Sequence, residues 1–229
     1  MRTAMGDPGT PLVRMLQLAS AALPVGSFAY SQGLEFAVEA QWVVDEASLE
    51  RWLAEQMRYG VARVDLPMLA RLIAATRRGD RPEQARLGAT LIAMRETSEL
   101  VADDCARGRA LARLLGDLDV AGARFWLDQA EIPYAGPMAA AFVAFDIALS
   151  PALEIYAWSW LENQILAGVK LVPLGQVAGQ RLLLELGGGI AELCTEALGR
   201  GDEELGGTLP IVALASSLHE TQYTRLFRS

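Results

Sequence analysis

The side chains that could take part in recognition or chemistry are concentrated in two segments of the sequence. The first, residues 23–35, is a loop punctuated by proline and glycine, and its candidate residues are Phe28, Tyr30, Gln32 and Glu35. The second, residues 219–229, contains the only histidine of the chain, and its candidates are His219, Glu220, Gln222, Tyr223, Arg225, Leu226 and Phe227. Aromatic and arginine side chains carry much of the binding energy at protein interfaces. The two segments therefore predict recognition surfaces.

The aromatic side chains of these segments could be held in different ways. Proline and glycine restrict the loop backbone, so Phe28 and Tyr30 are either presented to a partner at little entropic cost or packed inward to hold the loop down. Both interpretations stay open. The end of the chain has interface-type side chains but little length in which to fold by itself. We therefore expect residues 221–229 to become ordered on a partner, and His219 to lie in a mobile terminus.

The residue types needed for nucleophilic catalysis or nucleotide binding are scarce. A Ser/His/Asp or Cys/His centre needs a histidine beside its nucleophile, and His219 is the only one available. The sequence has neither a GxxxxGK(S/T) loop nor a GxGxxG turn after a strand. Cys105 and Cys194 are the only thiols, which is a poor supply of ligands for nickel or zinc. We expect a protein that is not an enzyme and has no cofactor or metal site of its own.

Several carboxylates and one lysine are open to two interpretations. Glu35, Asp65 and Glu96 are candidates for an interior channel, together with Lys170, although carboxylates more often lie on solvated helix faces or cap helices. Lys170 stands in an apolar run, so it either extends its amine to solvent or pairs with a buried carboxylate. A helical small-molecule enzyme that uses Lys170 and buried carboxylates is the competing hypothesis. A generic helical adaptor is a third.

Composition limits the class of protein and of partner. The 229 residues are 52% hydrophobic, enough for one large domain with an extensive core. A net charge of -8 argues against nucleic-acid binding and favours a protein partner. The two distant cysteines fit no disulfide framework, so both are expected to be core thiols in a reducing compartment. Neither a signal peptide nor an uninterrupted apolar span is visible, so we expect a cytoplasmic protein without membrane contact.

Helical periodicity continues almost throughout, and no strand pattern is sustained. The sequence predicts an all-α, single-domain bundle of roughly ten helices, with residues 1–10 disordered, 11–220 helical and 221–229 a partner-binding tail. Asp45 and residues 79–82 predict helix starts, as do Ser31 as a cap and Asp65-Leu66-Pro67. We further expect Asp103 and Asp104 to lie on the polar face of helix 98–115, and Trp158 and Trp160 to lie in the core. The last helix is expected to run from residue 209 to about residue 223.

Motifs along nearly the whole chain, residues 12–229, resemble those of the UreF family of urease accessory proteins. The amino-terminal signature is Leu23-Pro24-Val25-Gly26 followed by Ser31-Gln32-Gly33-Leu34-Glu35. The other landmarks are Val64-Asp65-Leu66-Pro67, Arg95-Glu96-Thr97, residues 169–176 (VKLVPLGQ), and the carboxy-terminal His219-Glu220-Thr221-Gln222-Tyr223 with Arg225-Leu226-Phe227.

The resemblance implies an all-helical, dimer-forming maturation factor in the cytoplasm. Such a factor binds the accessory protein UreD, also called UreH, recruits the GTPase UreG and modulates its GTP hydrolysis while nickel is delivered to apo-urease. The resemblance ties Phe28 and Arg225 to GTPase recruitment. Position 28 is often tyrosine in the family, so Phe28 lacks a hydroxyl. Glu35, Asp65 and Lys170 match polar positions associated with a nickel tunnel or with the GTPase.

Overall fold

The computed structural model describes residues 11–229, and the predicted disorder of residues 1–10 lies outside them. Within this range the chain is all-α, as predicted, and contains no β-strand. The helices are α1 (Pro11–Ala19), α2 (Leu34–Glu39), α3 (Glu46–Gln56), α4 (Leu66–Arg77), α5 (Arg81–Ala93), α6 (Ser98–Asp117), α7 (Ala123–Leu127), α8 (Ala135–Ala144), α9 (Leu149–Leu171), α10 (Gln176–Gly187), α11 (Ile190–Leu198) and α12 (Pro210–His219).

Two helices form the centre of the bundle. Helix α8 is apolar on all sides, and its residues 135–142 are buried. The long α9 contacts six other helices, namely α1, α2, α3, α4, α10 and α11. Because α8 packs against α4 and α6 while α9 packs against α4, a single core runs through the bundle. No helix among residues 11–229 has the length and apolar character needed to cross a bilayer.

Local sequence signals place some helix starts correctly. The Asp45 carboxylate accepts a hydrogen bond from Ser48 N at 2.8 Å and begins α3. The Asp80 carboxylate accepts from Glu83 N at 3.1 Å, and Pro82 occupies the first turn of α5. Both are caps that satisfy a backbone N–H left without an intrahelical partner. The first turn of α5 also gains from proline's fixed φ.

The predicted start at Asp65 is wrong. Residues Met57–Asp65 form a π-helical segment that joins α3 to α4 without a break, so Asp65 has helical dihedral angles and caps nothing. Its carboxylate instead accepts hydrogen bonds from Arg95 and Tyr156 inside the bundle. Wide π turns often occur near functional sites, and this one brings Asp65 into the interior.

Other local expectations also need correction. Helix α2 begins after Gly33 (φ +84°), so Ser31 is not the N-cap residue itself. Its hydroxyl nevertheless accepts from Glu35 N in the first turn at 3.3 Å, as a cap would, and donates to the main-chain oxygen of Ser229 at 2.7 Å. Helix α12 ends at His219 rather than near residue 223, because the chain turns back onto the bundle there. Trp158 is partly exposed, and Cys194 is buried as expected whereas Cys105 is only half-buried.

Candidate functional site

The two aromatic side chains of the loop at residues 26–33 have different environments. Gly26 has a left-handed φ of +77° and leads into a short 3₁₀ turn, Ser27–Ala29. Phe28 on this turn is 63% exposed, whereas Tyr30 is 9% exposed and belongs to the core. The Phe28 side chain is therefore exposed on the turn, whereas the Tyr30 side chain packs inward.

The end of the chain docks on this loop. Arg228 N donates to Ala29 O at 2.8 Å, and the main-chain oxygen of Ser229 accepts from Ser31 N and from Gln32 N. Phe227 is buried in the core. The expectation that residues 221–229 become ordered on a partner stays a prediction. In this structure backbone groups of Arg228 and Ser229 already have partners in the loop, and Phe227 supplies an apolar anchor. Residues 225–229 are the last five of the predicted partner-binding segment 221–229. From here on, only these five residues are called the tail.

The exposed side chains around the tail form a surface beside the loop. Tyr223 is fully exposed, Leu226 is 67% exposed, and the Arg225 side chain is 41% exposed. Lys170 is exposed as well, and its Nζ lies 5.7 Å from the centre of the Phe227 ring, a cation–π contact. Of the two interpretations of Lys170, the amine that reaches solvent is the one observed.

The two remaining candidates near the end of α12 have local contacts. Glu220 is exposed and accepts a hydrogen bond from Ser98 Oγ. Gln222 is half-buried, and its Nε2 donates to Thr224 O at 2.9 Å. These contacts shape the turn between α12 and the tail.

A buried group of charged side chains lies beneath the tail. His219 is fully buried, so its predicted mobility is wrong. Its Nδ1 lies 2.9 Å from Glu99 Oε2, and its Nε2 lies 3.1 Å from Glu35 Oε2. Glu35 also accepts from Leu226 N at 2.6 Å and Phe227 N at 2.8 Å, and Arg225 Nη1 lies 3.2 Å from Glu99 Oε1. Residues distant in sequence thus meet at one point.

A second charged group lines a cavity of about 90 Å³ inside the bundle. Arg95 bridges two buried carboxylates, with Nη2 2.6 Å from Asp65 Oδ1 and Nε 2.8 Å from Asp104 Oδ2. Arg107 forms an ion pair with Asp103. Buried charges are tolerated only when they are paired and hydrogen-bonded, and this network meets that requirement for all five side chains.

Gln32 connects the cavity to the loop. Its Nε2 donates to Asp103 Oδ2 at 2.7 Å, and its Oε1 accepts from Trp160 Nε1 at 2.9 Å. Trp160 is therefore a half-buried hydrogen-bonding residue at the cavity wall rather than a pure core residue. Because Gln32 N also donates to Ser229 O, one residue contacts both the tail and the interior.

The cavity network shifts the pKa values of its members. Burial lowers the pKa of Arg95, but Asp104 and Asp65 outweigh burial, so that pKa is raised well above its usual value. Burial, followed by the charges of Asp65 and Asp104, raises the pKa of Tyr156. Burial raises the pKa of Tyr134 to about 12. At neutral pH the guanidinium is charged and both phenols are neutral, which preserves the hydrogen bonds of Arg95 and of the Tyr156 hydroxyl with Asp65.

The four residues predicted to line an interior channel do not lie together in the structure. Asp65 and Glu96 line the cavity, with Glu96 exposed and accepting from Leu209 N at 3.3 Å. Glu35 lies in the buried group beneath the tail, and Lys170 lies at the surface, so neither borders the cavity. The Nε2 of Gln56, on the cavity wall, has no hydrogen-bond partner among residues 11–229, so a bound water is expected there.

The prediction that Asp103 and Asp104 lie on the polar face of α6 is wrong, because both residues are buried. A signal for this was present: Asp103 and Arg107 stand eight and four residues before Leu111 and so extend the buried stripe of Leu111 and Leu115. An acidic and a basic residue at i and i+4 on the apolar face of a helix indicate a buried ion pair. The partner Arg95 of Asp104 had no comparable signal.

Comparison with known proteins identifies the family. The UreF family model matches residues 43–187. A urease accessory protein UreF of Alkalilimnicola ehrlichii is 48% identical, covering 97% of this chain and 98% of that protein. The UreF of Azoarcus sp. is 50% identical over 96% of each chain, and that of Pseudomonas putida W619 is 50% identical over 95% of this chain and 97% of its own. Matches of this extent and identity show that the chain belongs to the UreF family of urease accessory proteins.

Proposed function

We propose that this chain acts in urease maturation by assembling other proteins rather than by catalysing a reaction. In this proposal it binds a UreD/UreH-type accessory protein, recruits a UreG-type GTPase and modulates its GTP hydrolysis while nickel is delivered to apo-urease. It works in the cytoplasm as a homodimer. Membership of the UreF family supports the role in urease maturation, and the contacts of the loop and the tail support the recruitment step.

The observation that carries the recruitment step is that the loop with Phe28 and the tail with Arg225 are hydrogen-bonded to each other. Phe28 is exposed on a turn fixed by Gly26, and the adjacent Ala29 binds Arg228 of the tail at 2.8 Å. Arg225 is held by Glu99 yet keeps 41% of its side chain exposed. A rigid aromatic and an ordered arginine cost little entropy to immobilise on binding, which is why such side chains become hot spots.

Co-purification tests the proposal. A complex of this chain with its UreD-type partner is expected to retain a UreG-type GTPase, and Phe28→Ala or Arg225→Ala is expected to release the GTPase while the UreD-type partner stays bound. Arg86→Ala is the matched control, because Arg86 is an exposed arginine of α5 whose ion-pair partner, Glu83, lies in the same helix, away from the loop and the tail. Retention of the GTPase by both alanine variants would contradict the assignment.

We also propose that nickel, as cargo, passes by the interior cavity. The cavity wall carries four carboxylates, Asp65, Glu96, Asp103 and Asp104, against two guanidinium groups, Arg95 and Arg107. This excess of negative charge favours a cation. Within the described part of the chain, no cluster of three or more His, Cys, Asp or Glu side chains is arranged to hold a metal ion. The wall therefore fits transient contact better than tight storage.

Asp65→Asn tests the nickel route. The substitution keeps the side-chain shape but removes one charge of the wall and weakens the buried pair with Arg95. We expect less nickel in urease matured with the variant, while a thermal melt shows that the variant is folded and co-purification shows that the accessory complex still assembles. Asp202→Asn is the control, since Asp202 is an exposed ion-pair partner of Arg71 away from the cavity. Nickel content is measured by elemental analysis of purified urease. Equal nickel content with Asp65→Asn and the unmodified chain would contradict the route.

The small-molecule enzyme is a weaker proposal. Ligand pockets commonly measure roughly 300–1,000 Å³, whereas the cavity with the buried carboxylates measures about 90 Å³. Lys170, its proposed reactive residue, lies at the surface over Phe227. A generic adaptor remains compatible with the tail surface, and the same co-purification distinguishes it, because an adaptor unrelated to urease would not retain the GTPase.

A further inference from the structure

A second, smaller cavity shares a wall with the cavity already described. It measures about 20 Å³, enough for a single water molecule, and Ser27 and Tyr30 form part of its lining. Five residues line both cavities and therefore form the partition between them: Gln32, Asp103, Arg107, Tyr156 and Trp160. The interior thus consists of a larger and a smaller chamber that these side chains separate.

The hydrogen bonds of the partition converge on Asp103. Its carboxylate is fully buried, and Arg107 binds both of its oxygens, with Nη2 3.0 Å from Oδ2. Gln32 Nε2 donates to the same Oδ2 at 2.7 Å, and Trp160 Nε1 donates to Gln32 Oε1 at 2.9 Å. Closure of the partition therefore depends on which groups Asp103 binds.

Arg107 is the cation of the partition. Burial lowers the pKa of Arg107, but the charges of Asp103 and Asp104 outweigh burial and hold that pKa above its usual value, so the side chain is charged at neutral pH. The guanidinium also lies over the Tyr134 ring, 4.9 Å from the ring centre. Because an arginine side chain has many more rotamers than an aspartate, the guanidinium can move away more readily than the short Asp103 carboxylate.

The smaller chamber contains oxygen atoms that lack a donor. Gln164 is only 3% exposed, and its Oε1 has no hydrogen-bond partner among residues 11–229. The Oδ1 of Asn163 likewise has none there, and both side chains line this chamber. Amide oxygens accept hydrogen bonds from water and bind hard cations directly. The smaller chamber is thus suited to a cation that carries water.

We propose that Arg107 is the gate between the two chambers: its guanidinium occupies the place of a cation beside Asp103, and a divalent cation that crosses the partition must displace it. A divalent ion attracts a carboxylate with twice the charge of a guanidinium, so it can compete. Once the ion has left, Arg107 pairs with Asp103 again and the partition does not retain the metal. This competition rests on the geometry alone, whereas its use for nickel rests on the proposed function.

Equilibrium dialysis of the full-length chain against nickel alone tests the gate. Arg107→Gln is expected to bind nickel at least about tenfold more tightly than the unmodified chain, because the buried carboxylates then lack their cation. Arg107→Lys keeps a positive charge and should show no such gain. Arg113→Gln is the matched control, because Arg113 is an exposed arginine of the same helix. Unchanged nickel affinity in Arg107→Gln would overturn the gate.

A companion variant locates the added nickel. Combining Asp103→Asn with Arg107→Gln removes the carboxylate that the ion is expected to take from Arg107, so the gain in affinity should disappear. A gain that survives in the double variant would place the nickel elsewhere and overturn the gate.

Thermal melts with and without nickel cover a variant of low stability, since an unpaired buried carboxylate destabilises the fold. A ligand that binds only the folded state raises the melting temperature. Nickel should therefore raise the melting temperature of Arg107→Gln and leave that of Arg113→Gln unchanged. If Arg107→Gln folds only with metal present, nickel during refolding should restore its helical circular dichroism. The absence of any nickel effect on Arg107→Gln would contradict the gate.

The nickel content of urease separates the gate from the nickel route. A passage that retains the ion delivers less of it when nickel is limiting, so Arg107→Gln should lower the nickel content of urease and Arg113→Gln should not. If Arg107→Gln binds nickel in dialysis but urease is filled normally, the gate stands and the route fails. If Arg107→Gln gains no nickel and Asp65→Asn still lowers the nickel content, the route stands and the gate fails.

Discussion

At the scale of single residues, position in the fold decides what each polar group does. Glu35 and Glu99 are both carboxylates near the tail, yet one binds backbone N–H groups and the other binds Arg225. Asp65, in contrast, is held by Arg95 and Tyr156 at the cavity. Since buried charges need partners, each of these carboxylates is fixed in direction by its donors. Fixed groups of this kind hold the nearby surface in one arrangement.

Tyr134→Phe tests the burial of one phenol. Burial raises the pKa of Tyr134 from an ordinary value of 10.0 to about 12. A raised pKa contributes stability that is fully present below pH 10 and is lost as the pH rises through the folded-state pKa, because the unfolded chain releases its proton first. Between pH 10 and 12 the free energy of unfolding should fall by up to about 1.4 kcal/mol per pH unit for this group.

In the Tyr134→Phe variant, the free energy of unfolding should fall less steeply between pH 10 and 12, because the contribution of this phenol is gone. Denaturant unfolding at pH 9, 10, 11 and 12 gives the slope for both proteins, and Tyr223→Phe serves as the control because Tyr223 is fully exposed. An equally steep decline in Tyr134→Phe and the unmodified chain would show that Tyr134 is not buried as described.

At the scale of elements, close approach between α6 and the segment before α8 holds the cavity wall in place. A Cβ atom on Gly108 would lie 1.9 Å from Ile132 O and 3.0 Å from Pro133 C, both backbone atoms that cannot rotate away. The same approach lets the Asp104 carboxylate accept from Tyr134 N at 2.8 Å. Glycine at position 108 is therefore required for the geometry of the cavity.

Gly108→Ala should accordingly destabilise the protein by about 3 kcal/mol or more, at the upper end of what overpacking costs. Gly116→Ala in the same helix is the matched control, because its new methyl group would meet only side-chain atoms at 3.5 and 3.8 Å. That variant should be neutral or more stable, since alanine favours helix over glycine by roughly 0.5–1 kcal/mol. Thermal melts compare the three proteins, and equal losses in both variants would contradict the close approach at Gly108.

The sequence predicts those elements whose signals are local. Caps at Asp45 and Asp80 act within one helical turn, so their residue types suffice to place α3 and α5. Asp65-Leu66-Pro67 has the same local form, but the π-helical segment before it continues the helix, and tertiary contacts with Arg95 take the carboxylate. Local patterns cannot foresee such a choice, because the competing partner is 30 residues away.

The predictions for the site residues divide in the same way, into those that depend on local sequence and those that depend on distant contacts. The exposure of Phe28 follows from its Pro/Gly loop, whereas the docking of the tail depends on contacts such as Phe227 N with Glu35, which are 192 residues apart. Single-sequence reasoning treats residues 221–229 as a free end, because nothing nearby in sequence offers them partners. The division of the candidate residues into buried and exposed members needed the fold.

At the scale of the whole molecule, the tail joins the two ends of the described chain. Loop 26–33 follows α1, the tail follows α12, and backbone hydrogen bonds join the loop that carries Phe28 to the tail that carries Arg225. Gln32 extends this region to the cavity through Asp103. We propose that this region recruits the GTPase as a single surface.

A double-mutant cycle on the purified complex with a UreD-type partner tests that claim most directly. Titration with a UreG-type GTPase should show that Phe28→Ala and Arg225→Ala each cost about 2 kcal/mol, roughly thirtyfold in affinity. If both side chains belong to one surface, the double variant should lose less than the sum of the single losses, because neighbouring residues couple. Strictly additive losses would place the two residues on separate surfaces, and unchanged affinity in both single variants would contradict the account.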